Sequence, residues 1–478
     1  MNLNVLKFRT TAFLWLFGTA LAFGQELTDL PEVNLNELSS FSSPPKTWTT
    51  ASQVIANLKA DHSLKTSTGT GILVANPEKK SQHADLFTKA VHGDMILELD
   101  YLMAKGSNSG IYLQGNYEIQ LKDSWGVTNP TSADNGGIYE RWDETKPDGQ
   151  KGYGGYAPRQ NASMAPGLWQ HLKIAFQAPR FSTSGTKTAN ARILSVVLNG
   201  VVIHDNVELF GPTRGAVGQE KALGSLRFQG DHGPVAFKNI RISRLPAELL
   251  SDGQKEKAGA DPIYIDAATN TMIRSFVDVQ PGLRVVHAIS VGSPKQVHYS
   301  YDLDNGLLLH GWHGDFIDAT PMWDGRGNGT SRPRGAVTSF TSKLIPAVAQ
   351  LNNSGAAWPV DSTGTGFRTK GYVMDNEDRP EFKYNIYGSQ VTDAIKAKED
   401  GKGLVRTISI DKALPNLYVL LANASSIQEL SPGLYLVNGQ AFYLELDEST
   451  AKPLIRDVEG RKELIILLGS KLKYQLSF

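Results

Sequence analysis

Short runs in which apolar and polar residues alternate fill the sequence from Trp48 to Leu245, and turn-forming residues separate them. Alternation with a period of two indicates β-strands that bury one face. In the run ILSVVLNGVVIHDN, the Asn199-Gly200 pair joins two apolar segments, which is a strong signal for a β-hairpin. Forty-six Gly and 23 Pro agree with many turns and few long helices. Many short strands at this spacing predict a β-sandwich or jelly roll.

A chain of 478 residues is too long for one ordinary compact core, so we expect two domains. The second half is again strand-rich and predicts a β-sandwich-like accessory domain, although short helices are expected near Thr50–Leu58, Ser342–Leu351 and Val391–Lys398. The predicted order is a signal peptide (1–24), an extended Ser/Pro-rich lead-in (25–45), a jelly roll (46–245), a charged linker (246–262) and the accessory domain (263–478).

The first 24 residues have the pattern of a secretory signal. Lys7 and Arg9 precede the apolar run TAFLWLFGTALAFG, and small residues follow near Gly24. The apolar run is shorter than the ~20 residues that a membrane-spanning helix needs, so cleavage is favoured over anchoring. The chain has no Cys, which excludes disulfides and thiol catalysis. We therefore expect an exported bacterial protein, periplasmic or extracellular, with no membrane span after signal cleavage.

The charge balance limits the classes of partner. Lys+Arg and Asp+Glu both number 48, so the formal net charge is zero. A nucleic-acid-binding protein normally carries a basic excess, so we expect no nucleic-acid partner.

The stretch GIYLQGNYEIQLKDSW carries more polar residues than an ordinary buried strand. Glu118 and Gln120 share one strand face because side chains alternate. A β-bulge after them would turn Asp123 onto the same face. Paired carboxylates are what the cleavage of a sugar bond needs. The layout resembles the catalytic strand of laminarinase-type jelly-roll glycosidases, except that Gln120 stands where those enzymes carry an acid. A solvated outer face is the alternative interpretation.

A family resemblance extends over the whole segment from about Trp48 to Leu245. The sequence there is similar to the 3-keto-disaccharide hydrolase family, also described as 3-keto-glucoside lyase/hydratase domains and formerly a domain of unknown function. The motifs that carry the resemblance are SNSGIYLQGNYEIQLKDSWG (Ser107–Gly126), NGGIYERW (Asn135–Trp142), PRQNASMAPGLWQHLKIAFQAPRF (Pro158–Phe181), VLNGVVIHDNVELFGPTRG (Val197–Gly215) and LRFQGDHGPVAFKNIRI (Leu226–Ile242).

The resemblance implies an all-β fold, with an N-terminal concanavalin/laminarinase-like β-jelly-roll sandwich followed by the second domain. It also implies a small carbohydrate substrate, a glycoside whose glucosyl C3 hydroxyl has been oxidised to a ketone. Such a ketone acidifies the neighbouring C2–H, so a base can start an elimination that releases the C1 substituent. Hydration of the resulting 2-hydroxy-3-keto-glucal completes a net hydrolysis. This route needs a base near C2, an acid near the glycosidic oxygen and a group that polarises the ketone.

The motifs provide candidates for these roles. Glu118 and Asp123 are the candidate base and acid in either order, and His232 is a further proton-transfer or metal-ligand candidate because an unperturbed His titrates near neutral pH. The expected substrate-binding residues are Gln120, Tyr112, Tyr139, Arg141, Asn161 and Gln229. Ordinary roles as turn, core or surface ion-pair residues are the alternatives for His232, Tyr112 and Arg141.

Metal binding stays open at this stage, with either a catalytic divalent ion or a structural calcium ion as the candidate. In the second domain, His310, Trp312, His313, Asp315 and Asp318 form a dense polar–aromatic stretch. This stretch is either a carbohydrate or metal site or a packing segment between domains. A lectin-like protein without catalysis and a conventional retaining glycosidase are the rival functions.

Overall fold

A computed structural model describes residues 38–77, 84–246, 249, 261–323, 325–447 and 452–478. The predicted signal peptide, residues 25–37 of the lead-in and most of the linker (246–262) lie outside these residues. Apart from two short 3₁₀ helices, η1 (Leu38–Ser40) and η2 (Thr320–Met322), the described elements are β-strands. The all-β prediction is therefore confirmed. No helix in these ranges is long and apolar enough to cross a membrane.

The described part of the N-terminal half contains sixteen strands. They are β1 (Phe41–Ser42), β2 (Trp48–Ala56), β3 (Leu64–Ala75), β4 (Leu86–His92), β5 (Met95–Met103), β6 (Asn108–Leu113), β7 (Tyr117–Lys122), β8 (Arg141–Trp142), β9 (Gly152–Tyr153), β10 (Gln170–Gln177), β11 (Arg180–Phe181), β12 (Lys187–Ala189), β13 (Ala191–Leu198), β14 (Val201–Leu209), β15 (Gly224–Phe228) and β16 (Val235–Ser243).

Two antiparallel sheets of these strands form a jelly-roll sandwich. One sheet has five strands in the order β1-β4-β15-β6-β7, and the other has seven in the order β14-β13-β10-β5-β16-β3-β2. The core between them takes every second residue of each strand, such as Tyr117, Ile119 and Leu121 from β7. This packing leaves the intervening residues of β7 on the outer face of the five-stranded sheet.

The Asn199-Gly200 hairpin is confirmed. Asn199 and Gly200 have φ values of 50° and 82°, and they connect β13 to β14. The helix predicted around Thr50–Leu58 is wrong, because β2 occupies that segment. β2 buries Trp48, Ala51 and Val54, and its register shifts at Ala51. That irregularity spaces the buried residues three apart, which imitates a helical pattern.

Among the residues that the structure describes, the C-terminal half contains eighteen strands. They are β17 (Tyr264–Ile265), β18 (Thr271–Gln280), β19 (Leu283–Gly292), β20 (Val297–Asp302), β21 (Leu307–Asp318), β22 (Arg332–Ser339), β23 (Val348–Gln350), β24 (Arg368–Met374), β25 (Pro380–Ile386), β26 (Ser389–Ala397), β27 (Leu404–Ile410), β28 (Leu417–Ala424), β29 (Ile427–Ser431), β30 (Leu434–Val437), β31 (Phe442–Leu446), β32 (Leu454–Val458), β33 (Arg461–Leu467) and β34 (Lys471–Ser477).

These strands form sheets of six, four and eight strands. Their orders are β17-β21-β20-β19-β18 with β22 on β21, then β23-β28-β33-β32, and β24-β25-β26-β27-β34-β31-β30-β29. A second large core of buried side chains, from Ile289 to Phe478, joins the three sheets. The prediction of a second β domain is therefore confirmed.

Both helices predicted in this half are wrong. The segment from Ser342 to Leu351 is irregular except for β23, and Val391–Lys398 belongs almost entirely to β26. In β26 the buried positions alternate, and one of them is the charged residue Asp393. Because a charged residue occupies one of the buried positions, the alternation of apolar and polar residues that indicates a strand is interrupted in the sequence.

The two halves are in direct contact. Tyr443 Oη donates a hydrogen bond to Pro166 O at 3.0 Å, and Trp125 Nε1 donates to Phe478 O at 2.9 Å. The Gln160 side chain donates to Arg334 O at 2.8 Å and accepts from the N–H of Asp315 at 2.9 Å. The accessory domain therefore braces the loops that follow β7 and precede β10.

The buried ion pair between Asp393 and Arg406 gives a test of the C-terminal core. Arg406 Nη2 lies 2.6 Å from Asp393 Oδ2, and both side chains are almost fully buried. We expect Arg406→Met to destabilise the protein by about 3–5 kcal/mol, because it leaves a buried carboxylate unpaired. Chemical denaturation measures this change. Lys462→Met, which breaks the exposed pair with Asp457, is the control and should cost about 0–1 kcal/mol. Equal losses in both variants would contradict the account.

Candidate active site

Four strands of the five-stranded sheet place one row of side chains on its outer face. Glu118 on β7 lies directly opposite Tyr112 on β6, and Tyr112 lies opposite Arg227 on β15. Arg227 in turn lies opposite Phe87 on β4. Directly opposite residues of antiparallel strands share a face, so this row is a consequence of the register alone.

The Glu118 carboxyl group is the centre of the row. The residue is only 2% exposed, and Oε2 has no hydrogen-bond partner among the described residues. The carboxyl group lies over Gly110, where a Cβ atom would overlap Glu118 Oε1. Burial raises the pKa of Glu118 to about 7, although Tyr112, Arg227 and His232 partly oppose this shift. Glu118 can therefore take up or release a proton near neutral pH.

Arg227 supplies a buried positive charge beside this carboxyl group. Its guanidinium carbon lies 3.5 Å from the centre of the Tyr112 ring, and Nη1 donates a hydrogen bond to Gly215 O at 2.7 Å. Nε lies 3.2 Å from Asp85 Oδ2 without hydrogen-bond geometry, so charge alone holds that pair. Burial raises the pKa of Asp85, and the Arg227 charge opposes the increase.

His232 lies on the turn after β15 and also faces this cluster. Its Nδ1 pairs with the carboxylate of Asp231, which orients the ring. The positive charge of protonated His232 lowers the pKa values of both Glu118 and Asp85. His232 therefore lies within electrostatic range of the buried acid.

Two loops fix the outer edge of β7. The N–H of Glu118 donates to Thr213 Oγ1 at 3.0 Å, and Glu118 O accepts from the N–H of Tyr139 at 3.1 Å. Burial and the nearby charge of Glu140 raise the pKa of Tyr139, and Glu118 adds to the effect. Tyr139 thus lies close to the buried acid, and the backbone at Glu118 is held on both sides.

Two amide side chains stand on the same face. Gln120 is 5% exposed, and its Nε2 donates to Asn108 Oδ1 at 2.6 Å. Gln229 follows Arg227 by two residues, and its N–H donates to Gly110 O at 2.9 Å. Gln229 Oε1 is buried and has no partner in the described residues, so it can accept a hydrogen bond from a sugar hydroxyl.

The bulge predicted after Gln120 is wrong. The pairing of β6 with β7 runs from Leu113↔Tyr117 to Asn108↔Lys122 without a shift. Asp123 lies just beyond the strand, and its carboxylate accepts hydrogen bonds from the N–H groups of Gly106 and Trp125. These bonds stabilise the turn, and the structure does not bring Asp123 to Glu118.

Arg141 and Asn161 also make contacts outside the row. The Arg141 guanidinium lies 4.9 Å from the centre of the Tyr153 ring. Asn161 donates to Ser124 O and Val127 O at 2.7 and 2.8 Å, and its Oδ1 accepts from the N–H of Ser163. The Asn161 side chain therefore ties loops together, with its hydrogen-bonding groups already occupied.

The polar–aromatic stretch of the accessory domain forms packing contacts. His310 and His313 are buried, and burial lowers the pKa of each to about 4. Trp312 stacks on Phe316, while Asp315 pairs with Arg334 at 2.7 Å. The backbone of Asp318 pairs with Tyr264 in β17 and with Arg332 in β22.

The described residues include no group of three or more His, Asp or Glu side chains that could hold a metal ion. Asp85 faces the guanidinium of Arg227, and Asp231 pairs with Nδ1 of His232. The steps derived below use protein side chains alone.

Sequence reasoning missed Arg227, Asp85 and Asp231 as members of the site. Arg227 carried a usable signal, since it stands between Leu226 and Phe228 in an alternating strand and therefore has to point away from the core. Asp85 had no such signal, because it precedes β4 and lies beside Arg227 only because β4 pairs with β15.

The fold and the geometry define a jelly-roll domain whose outer sheet face carries a buried acid, an arginine and a histidine. Residues 38–243 match the family model of the 3-keto-alpha-glucoside-1,2-lyase-like domain. The match covers under half of the 478 residues, and it shows what this part of the chain is similar to. A search of curated proteins found no match.

Solved structures of similar proteins include two from Parabacteroides distasonis ATCC 8503 that are provisionally assigned as glycosyl hydrolases. They share 20% and 22% identity, cover 45% and 50% of this chain and 100% of their own, and have TM-scores of 0.29 and 0.27. The carbohydrate-binding module CBM66 from Bacillus subtilis shares 8% identity over 41% of this chain and 95% of its own, with a TM-score of 0.21. At these values none of the three bears on the function of this chain.

The raised pKa of Glu118 predicts a pH-dependent stability. A carboxyl group whose pKa is about 7 when folded and 4.5 when unfolded stabilises the fold below pH 4.5 relative to higher pH. That stability is lost as the pH rises through 7. We expect Glu118→Gln to raise the free energy of unfolding at pH 8 by up to about 3 kcal/mol, with little change at pH 4.

Denaturation curves at both pH values measure this difference. The exposed Glu399 provides the matched control, since Glu399→Gln should change stability by less than about 0.5 kcal/mol at either pH. A Glu118→Gln variant that is equally or less stable than the wild type at pH 8 would show that ionisation of Glu118 does not lower the free energy of unfolding.

Proposed function

We propose that this protein is an exported bacterial enzyme that cleaves 3-keto-glucosides, including 3-keto-disaccharides, by elimination and hydration. One observation carries the proposal: a carboxyl group, 2% exposed, stands on the outer face of a domain that matches the lyase-like family model, and burial raises its pKa to about 7. Export rests on the signal pattern of residues 1–24. A periplasmic or extracellular location follows from that pattern.

The substrate chemistry explains why one buried base is useful. A ketone at C3 acidifies the C2 proton, because the electron pair left at C2 is delocalised onto the ketone oxygen. In the first stage the C2–H bond breaks, a C1=C2 bond forms, and the C1–O bond to the leaving group breaks. In the second stage water adds across this double bond, with OH on C1 and H on C2. The product is 3-keto-glucose, and the net reaction is hydrolysis.

Glu118 is the residue that removes the C2 proton. A base with a pKa near the working pH is partly ionised and still basic enough to abstract a carbon-bound proton. Oε2 lacks a partner within the described residues, so it can receive that proton without breaking an existing hydrogen bond. The same carboxylic acid can return a proton to C2 in the hydration stage.

His232 is the proton donor to the leaving oxygen. Its Nδ1 is held by Asp231, which fixes the direction of the ring. Nε2 then carries the proton that the glycosidic oxygen takes up as the C1–O bond breaks. In the hydration stage His232 can remove a proton from the attacking water.

Arg227 stabilises the negative charge that develops on the ketone oxygen, because its guanidinium is the buried cation of the row. Tyr112 holds that guanidinium in place, while Gln120 and Gln229 bind sugar hydroxyl groups. Tyr139 adds a hydroxyl near the buried acid. These assignments use the residues that the strand register brings together.

The geometry disfavours a conventional retaining glycosidase. Such an enzyme needs two free carboxyl groups about 5–5.5 Å apart, one of them a nucleophile. Asp123 is bound to backbone N–H groups at a turn, and Asp85 is paired with Arg227. Glu118 is therefore the single free carboxyl group of the row.

Turnover of a 3-keto-glucoside, measured against its unoxidised parent, tests the proposal. We expect the wild type to cleave only the keto compound, because only a ketone acidifies C2–H. Glu118→Gln should lower kcat by about 10²–10⁴-fold, the usual contribution of a general base. Released sugar and the absorbance of the 2-hydroxy-glucal intermediate report the reaction.

Asp123→Asn is the matched carboxylate control and should retain most of the turnover. Cleavage of the unoxidised parent at a similar rate would contradict the elimination route. Binding of both sugars without turnover of either would instead indicate a lectin-like protein.

The pH dependence of kcat/KM gives a second test with a defined sign. A base works only when ionised, so the limb of the kcat/KM profile that depends on Glu118 should rise with pH through about 7. If Glu118 acted as a general acid, as in a glycosidase, the rate would fall above pH 7. Measurements of kcat/KM over a pH series with the 3-keto-glucoside distinguish a general base from a general acid at Glu118. In the variant Glu118→Gln, the change in kcat/KM near pH 7 should be absent.

A further inference from the structure

The loop between β14 and β15 contacts the row of side chains around Glu118 residue by residue. Thr213 Oγ1 accepts a hydrogen bond from the N–H of Glu118 at 3.0 Å. The next residue in the loop is Arg214, whose backbone O accepts a long hydrogen bond from Tyr112 Oη at 3.4 Å. Two neighbouring loop residues therefore contact two neighbouring members of the row.

Gly215 continues this series. Its backbone O accepts a hydrogen bond from Arg227 Nη1 at 2.7 Å. Its φ of 83° lies in the left-handed region, and a Cβ atom here would lie 3.0 Å from Tyr112 Oη. Glycine is therefore suited both to the backbone conformation and to the close approach. The segment 213–215 thus holds the strand of the acid, the ring and the cation of the proposed active site.

The side chain of Arg214 fixes this segment to the start of the β8–β9 hairpin. Its guanidinium carbon lies 3.6 Å from the centre of the Trp142 ring, and Nη1 lies 3.7 Å from Glu140 Oε1. The N–H of Arg214 also donates to Glu140 O at 2.8 Å. A planar guanidinium stacked on a ring has a defined orientation, so the hairpin determines where the segment 213–215 lies.

The exposure of Arg214 separates this role from a role in overall stability. The side chain is 47% exposed, and a solvent-exposed ion pair contributes little to the stability of a fold. Replacing Arg214 should therefore leave the jelly roll folded while releasing the segment 213–215 from the hairpin.

Release of this segment has a defined effect on Glu118. The charged and titratable groups that face its carboxyl group are Tyr112 from β6, Arg227 from β15, His232 from the turn after β15, Asp85 before β4 and Tyr139 from the loop after β7. Burial raises the pKa of Glu118, while Tyr112 first and Arg227 next oppose the increase. These two side chains are the ones that the segment holds.

We propose that Arg214 is a positioning residue of the active site: by anchoring the segment 213–215 to Trp142, it holds Tyr112 and Arg227 against Glu118. The inference rests on the proposed function for its effect on turnover. It adds a residue outside the row that controls how well the row balances the buried acid.

The titration of the Glu118 carboxyl group tests this role without any substrate. It can be followed by ¹³C NMR on protein labelled at glutamate, with Glu118→Gln to identify the resonance. In Arg214→Leu, Tyr112 and Arg227 should oppose the effect of burial less, so the pKa of Glu118 should rise by about 0.5–1 pH unit, a part of what a neighbouring opposite charge contributes. Trp142→Leu should shift the titration in the same direction, although it removes no charge.

Turnover of the 3-keto-glucoside gives a second readout of the same variants. We expect kcat to fall at least about fivefold in both, because small displacements of catalytic groups slow a reaction strongly. KM should change less than about twofold, since the segment holds residues that act on the reacting atoms. The limb of the kcat/KM profile that depends on Glu118 should move to higher pH, as the titration does.

Arg284→Leu is the matched control. Arg284 also pairs with a carboxylate, that of Asp278 at 2.6 Å, and lies 5.8 Å from a ring, that of Phe276, but it belongs to the accessory domain. This variant should change neither the Glu118 titration nor the turnover.

An unchanged Glu118 titration in folded Arg214→Leu would overturn the positioning role. A shift in Arg214→Leu that is absent from Trp142→Leu would also overturn it, because the lost charge alone would then explain the change. A wild type that cleaves no 3-keto-glucoside, combined with the expected shifts in both variants, would contradict the proposed function and leave the positioning of the row by Arg214 intact.

Discussion

The chemistry of the site depends on the burial of one carboxyl group, that of Glu118. Removing a carboxylate from water costs several kcal/mol unless a cation or hydrogen bonds compensate for it. Here the compensation is partial: Arg227, Tyr112 and His232 oppose the shift, and the pKa still rises to about 7. A fully paired carboxylate would be inert, and an unpaired one would stay neutral. The partial pairing keeps Glu118 able to change its protonation state at working pH.

The antiparallel register explains how the fold achieves this without a special loop. Pairing of β7, β6, β15 and β4 brings four side chains into one row, and the opposite faces of the same strands form the core. The row is therefore as rigid as the sandwich itself. Gly110 provides the space that the Glu118 carboxyl group occupies, and hydrogen bonds to Thr213 and Tyr139 hold its backbone. Contacts from the accessory domain brace the loop after β7.

Local periodicity predicted the sheets, the Asn199-Gly200 hairpin and the shared face of Glu118 and Gln120. It failed where a strand departs from simple alternation. β2 carries a register shift at Ala51, and β26 buries Asp393, so both were mistaken for helices. The partnership of Glu118 with Arg227 could not be read from the sequence, because it depends on pairings between strands about a hundred residues apart. The family motifs contain both residues, but they do not show that the two side chains lie close together.

Solvent deuterium at C2 of the product tests the central claim, that Glu118 removes the C2 proton, most directly. The reaction would be run in D₂O on a 3-keto-glucoside, and the 3-keto-glucose would be analysed by NMR and mass spectrometry. Elimination and hydration predict one deuterium at C2 in each product molecule, above the slow exchange of free 3-keto-glucose incubated in parallel. A product with hydrogen retained at C2, formed without any absorbance of the 2-hydroxy-glucal intermediate, would show that the glycosidic bond breaks without proton abstraction, and would contradict the assignment of Glu118 as the base.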